Sequence, residues 1–223
     1  MSPKIPSLLA VVCVLLTGCT SSGKLWSPFG HGKPTRPAGV TDTTVRNMTF
    51  PAGVCAHGSY GWPSTVPINV RDGKGEATLP SGEFGGASIT EPKLEGWIDA
   101  DGDRTEDAVV TFTCFGSTFE YCCAGRSSMM KFIGVFDFSD TSAPRQVGET
   151  IVPGSSPLRG ETYGESRFIK ELRIDGPTIV TDEQLIYPDS LGADKLGFSP
   201  DATVEVTHRF KGGQWTSTER VLD

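Results

Sequence analysis

From residue 66 onward the chain is written as short apolar or alternating runs separated by turn signals, and no stretch carries the sustained 3.6-residue apolar period of a long helix. Residues 66–70 and 75–79 flank Arg71-Asp72-Gly73-Lys74. An Asp-Gly pair tolerates the left-handed backbone that a tight hairpin turn requires, so this segment reads as a hairpin. The device recurs at Asp175-Gly176, between residues 168–174 and 178–180, and at Gly212-Gly213, between residues 203–210 and 214–221. In the last of these Val204, Val206, His208 and Phe210 alternate with Glu205, Thr207 and Arg209, which puts His208 on the apolar face. Residues 108–113 and 131–138 are apolar in both phases of the alternation and belong in the centre of the fold. The expectation is an all-β domain, an antiparallel sandwich or partly closed barrel built from hairpins and stapled by disulfides.

The N-terminal segment has a different character. Lys4 is the only charge before Lys24, and residues 8–16 form a nine-residue apolar run, too short for a membrane span of roughly 20 residues. A basic start, a short apolar stretch and small residues make the layout of a secretory signal. The run ends in Leu16-Thr17-Gly18-Cys19, which resembles the lipobox of bacterial lipoproteins. That resemblance implies a signal peptide over residues 1–18 and a diacylglyceryl thioether on Cys19. It further implies lipid anchoring to the outer face of the cytoplasmic membrane. Residues 19–41 then read as a flexible, Ser-, Gly- and Pro-rich tether, with one extracytoplasmic domain over residues 42–223. All 27 acidic residues and 16 of the 20 basic ones lie in that domain, a net charge of −11. Such a balance offers no electrostatic footprint for nucleic acid.

Cys55, Cys114, Cys122 and Cys123 remain for the exported domain, an even number in an oxidising compartment. Four cysteines admit three pairings. Two of them join Cys55 to Cys122 or Cys123 and are favoured; pairing Cys55 with Cys114 leaves a vicinal Cys122–Cys123 bond and is the least favoured. Zinc is disfavoured, because the spacing has no C-x-x-C pair and no histidine lies near Cys114 or Cys122.

One segment carries ligand chemistry. Asp99-Ala100-Asp101-Gly102-Asp103-Arg104-Thr105-Glu106-Asp107 sets carboxylates at positions 1, 3, 5 and 9 and a main-chain carbonyl at position 7, an oxygen set suited to Ca²⁺. The segment resembles the calcium loop of integrin-type FG-GAP repeats, which lies between two strands, and the resemblance implies Asp99, Asp101, Asp103, Asp107 and the Thr105 carbonyl as ligands. It covers nine residues and departs at position 6, where the family's glycine is Arg104, a cation that can itself take the place of the ion. The Asp-rich loop and paired cysteines together are similar to small actinobacterial lipoproteins.

His57, Tyr60 and Trp62 define a second candidate, a ligand face beside Cys55, against the commoner role of aromatics packed onto a sheet. No Gly-x-Ser-x-Gly nucleophile motif and no Gly-rich loop before a helix occurs. The sequence thus leads to a lipid-anchored module that binds an envelope protein or glycan, or builds the envelope, without catalysis and with a structural Ca²⁺ loop. The alternative is a cell-envelope hydrolase working with two carboxylates in a cleft.

Overall fold

A computed structural model describes residues 33–57, 60–62, 64–116, 129–154, 166–186 and 202–222. One helical turn, α1 (Asp42–Val45), is followed by β1 (Thr49–Phe50), β2 (Ala56–His57), β3 (Tyr60–Gly61), β4 (Ile68–Asn69), β5 (Lys74–Thr78), β6 (Phe84–Ile98), β7 (Asp107–Phe115), β8 (Met129–Asp137) and β9 (Arg145–Gln146). The chain continues through β10 (Ser166–Asp175), β11 (Thr178–Ile186), β12 (Ala202–Lys211) and β13 (Gln214–Leu222). The fold is all-β, as its hairpins and missing helical period require.

Seven strands form a curled antiparallel sheet in the order β1-β4-β5-β6-β7-β8-β9, and four form a meander, β10-β11-β12-β13. The glycine-bearing turns fall where the sequence places them. Asp72 and Gly73 take φ of 50° and 82° between the bridged residues Arg71 and Lys74, and Gly212 and Gly213 take 60° and 84° between Lys211 and Gln214.

β7 and β8 are apolar in both phases because both of their faces are covered. Ala108, Val110, Phe112, Cys114, Phe132 and Phe136 point into the curl of the large sheet, where Phe50 of β1 lies 5.0 Å from Phe112 and 5.5 Å from Phe136, ring to ring. Val109, Ile133 and Val135 point the other way, onto Ile179 and the partly buried Ile169, Leu172, Ile174, Phe210 and Trp215 of the four-stranded sheet. The large sheet therefore closes on its own core on one face and packs against the four-stranded sheet on the other. Each fully buried aromatic contributes about 1.5–3 kcal/mol of transfer free energy.

β6 is longer than any strand the sequence suggests. It runs for 15 residues through two irregularities, between Thr90 and Lys93 and between Leu94 and Gly96. Pro92, which cannot donate to a ladder, sits in the first of these. Glu91 there has φ 53°, its N–H donates to the Gly73 carbonyl at 2.9 Å, and the Leu94 N–H donates to Asp42 Oδ1 at 2.9 Å. The bulge donors are thus satisfied from outside the sheet.

The favoured cysteine pairing is overturned: Cys55 bonds Cys114, not Cys122 or Cys123. Cys114 is an inward residue of β7, and the turn through Val54 lies beneath it, held by the buried Thr150 hydroxyl, which donates to the Val54 carbonyl at 2.7 Å. Packing, rather than spacing along the chain, brings the two sulfurs together. Cys122 and Cys123 lie outside the described residues. The end of the segment assigned to the tether is structured: Thr35 bridges Thr105 in parallel, and Val40 is buried in the core.

Candidate metal centre

Ile98 and Asp107 are the last paired residues of the β6–β7 ladder, so residues 99–106 form a closed loop at its end. The aspartates shape this loop by accepting from its own backbone. Asp99 Oδ1 accepts from the Gly102 N–H at 3.0 Å, Asp101 Oδ1 from Asp103 at 3.2 Å, and Asp103 Oδ1 from Thr105 at 2.6 Å. These bonds turn successive carboxyl groups inward. Asp99, Asp101 and Asp103 bring carboxylate oxygens within 4.8 Å of one another, close enough to hold one metal ion.

The substitution at position 6 leaves the turn intact. Arg104 takes φ 74°, the left-handed conformation for which glycine is the unstrained choice, and its carbonyl accepts from Thr35 N–H at 2.9 Å. The Glu106 N–H donates to the Thr35 carbonyl at 2.8 Å. The Thr105 N–H, between these two bonds, goes to Asp103 instead.

Asp107 differs from the other four predicted ligands. It is buried, its Oδ2 accepts from the Ala100 N–H at 3.0 Å, and it braces the base of the loop outside the group of three. Burial, and then the charges of Asp101, Asp137 and Asp103, push its carboxyl up to about 7. Two arginines act here, and neither is Arg104, which makes no ion pair among the described residues. Arg36 donates to Glu106 Oε2 at 2.7 Å and lies 5.0 Å from the Trp97 ring centroid. Arg145 of β9 reaches Asp101 Oδ2 at 3.4 Å and Asp137 Oδ2 at 3.2 Å. Arg145 is the cation that sequence reasoning missed; 38 residues separate it from the loop's end, and only the β7–β8–β9 pairing brings it back.

The second candidate separates into parts. Trp62 is half-buried with its ring 6.5 Å from that of Phe132 and hard against Gly116, a packing role. His57 and Tyr60 pair through their backbones, and their side chains lie outside the described residues. His208 is buried as its alternation requires, with Nδ1 2.8 Å from Ser217 Oγ and Nε2 3.2 Å from Thr181 Oγ1. Burial pushes it down to about 4, so the ring is neutral.

Around His208 the four-stranded sheet holds a cluster the sequence did not disclose. Arg167 donates to Glu219 Oε1 at 2.7 Å and lies 3.6 Å from Glu183 Oε2, with all three side chains at least 95% buried. Thr181 Oγ1 and the Gly154 N–H also donate to Glu183, at 2.9 and 3.2 Å. Burial raises the Glu183 carboxyl above its usual range.

Comparison with protein-family models, with curated proteins and with solved structures gives no match for this chain. Fold and site together define an all-β, disulfide-bonded domain whose principal candidate centre is an aspartate loop able to hold a metal ion.

Proposed function

We propose that the protein is a bacterial lipoprotein, anchored by lipid on Cys19 to the outer face of the cytoplasmic membrane. Its domain is a non-enzymatic binding or envelope-structure module in which Ca²⁺ fixes the β6–β7 loop. Leu16-Thr17-Gly18-Cys19 behind a short apolar run is the observation that carries the anchor, since two or three acyl chains suffice for stable membrane attachment. A disulfide in the domain fits an oxidising compartment.

Calcium is favoured because the donors are all oxygens and the Asp99, Asp101 and Asp103 carboxylates converge. Asp107 supports the loop from beneath. A partner of this module is an envelope protein or glycan. A hydrolase working with paired carboxylates gains no support from the cleft beside the loop, where Asp101 is the single acidic residue among the described lining residues. The anchor is tested by growing cells on radiolabelled palmitate: the label enters the wild-type chain and is lost with Cys19→Ala, whereas label retained by that variant contradicts the proposal.

A further inference from the structure

Beside the aspartate loop lies a cleft of about 510 Å³, between Ala100 and Asp101 on one side and the β12–β13 turn on the other. This is within the range of small-molecule sites, roughly 300–1,000 Å³. Its base is apolar. Val147 and Phe210 line it, and Gly148, at φ 72°, lets the Phe210 and Trp215 rings approach so closely that a Cβ would fall 2.7 and 3.0 Å from them. Trp215 is fixed there by its Nε1–H, which donates to the Val147 carbonyl at 3.2 Å.

Two cations face this cleft from different sheets, in a domain whose net charge is −11. Arg145 uses Nη2 for Asp101 and Asp137 and keeps 60% of its side chain exposed. Lys211 makes no ion pair among the described residues, and it stands on a two-glycine turn that also lines the cleft. It borders a concave site whose other cation is held in place by two aspartates.

We propose that this cleft binds the anionic head of a small ligand between Arg145 and Lys211, with the ligand's apolar face against the partly buried Phe210. A carboxylate and a phosphate satisfy the same two donors, since both accept charge-assisted hydrogen bonds from guanidinium and ammonium groups. A sugar acid and a glycerol phosphate are the two forms of such a ligand among envelope polymers. The inference deepens the binding-module reading and rests on it.

The test is calorimetric titration of the full chain in detergent at low salt, once with EDTA and once with millimolar calcium, using glucuronate, glycerol 1-phosphate and glucose in parallel. Saturable binding of either acid without glucose is expected, weakened about tenfold by Lys211→Gln and unchanged by Lys131→Gln. Glucuronate alone assigns a carboxylate head, and glycerol 1-phosphate alone a phosphate head. Lys211→Gln removes a side chain with no ion pair in the described structure, so its fold is retained, and an unchanged melting temperature checks this. Binding of neither acid, or affinity that survives both Lys211→Gln and Arg145→Gln, overturns the proposal. Equal binding of glucose also overturns the anionic head while the binding-module reading stands. Conversion of either acid into new products, read by mass spectrometry, overturns that reading instead.

Discussion

Two of the molecule's acidic clusters are treated in opposite ways. On the four-stranded sheet, Glu183 and Glu219 are sealed from water with Arg167 between them, and hydroxyl and main-chain donors complete Glu183. At the end of β6, Asp99, Asp101 and Asp103 crowd together near the surface, and the nearest cation, Arg145, is shared with Asp137 at 3.2 and 3.4 Å. Buried charge must be matched inside the protein, because nothing from solvent can reach it. Charge at a surface loop can be left for an ion from outside to match. The first cluster holds its own cation, and the second is a group of three carboxylates close enough to hold one metal ion.

The largest expected effect comes from breaking the sealed cluster. Arg167→Met leaves two buried carboxylates without their cation and should cost about 3–5 kcal/mol in chemical denaturation, whereas a loss below about 1 kcal/mol would show that water enters the cluster. Removing the Cys55–Cys114 bond with Cys55→Ala and Cys114→Ala should cost about 2–4 kcal/mol while leaving the cluster intact.

His208 supplies the next test. Its folded pKa, about 4, lies below the ordinary value of 6.5, so the unfolded chain takes up a proton first as pH falls. Stability from this residue is fully present above about 6.5 and drains away down to about 4, by about 2–3 kcal/mol. The opposing slope from Glu183, whose carboxyl is raised, is common to wild type and variant, so the difference in melting curves between wild type and His208→Gln isolates the imidazole. Parallel pH profiles would contradict the assignment. Smallest is Arg104→Gly in the loop, which relieves a left-handed arginine and should stabilise the domain by about 1 kcal/mol without altering the sealed cluster.

The hairpins were legible because their turns need left-handed φ, and Asp72-Gly73 and Gly212-Gly213 announce it in the sequence. The aspartate loop was legible for a similar reason: its side chains bond their own backbone, so its shape is local. β6 was hidden by Pro92 and two irregularities, which destroy the alternation that marks a strand. The sealed cluster was hidden by a bulge. Read with a constant period, Phe168, Leu172 and Ile174 share one face of β10, but a register shift between Ile169 and Glu171 exchanges the faces. Phe168 is left 44% exposed, and Arg167 turns inward. Cys55 with Cys114, and Arg145 with Asp101, are tertiary pairings that spacing along the chain does not encode.

The contrast between the two clusters is tested most directly by calcium titration of the full chain in detergent, by calorimetry with thermal melts alongside, for the wild type and Asp101→Ala. The account predicts saturable binding of about one ion, a raised melting temperature, and loss of both in the variant. No heat and no melting shift at millimolar calcium would contradict it, and would mean that Arg145 already completes the aspartate loop as Arg167 completes the buried glutamates.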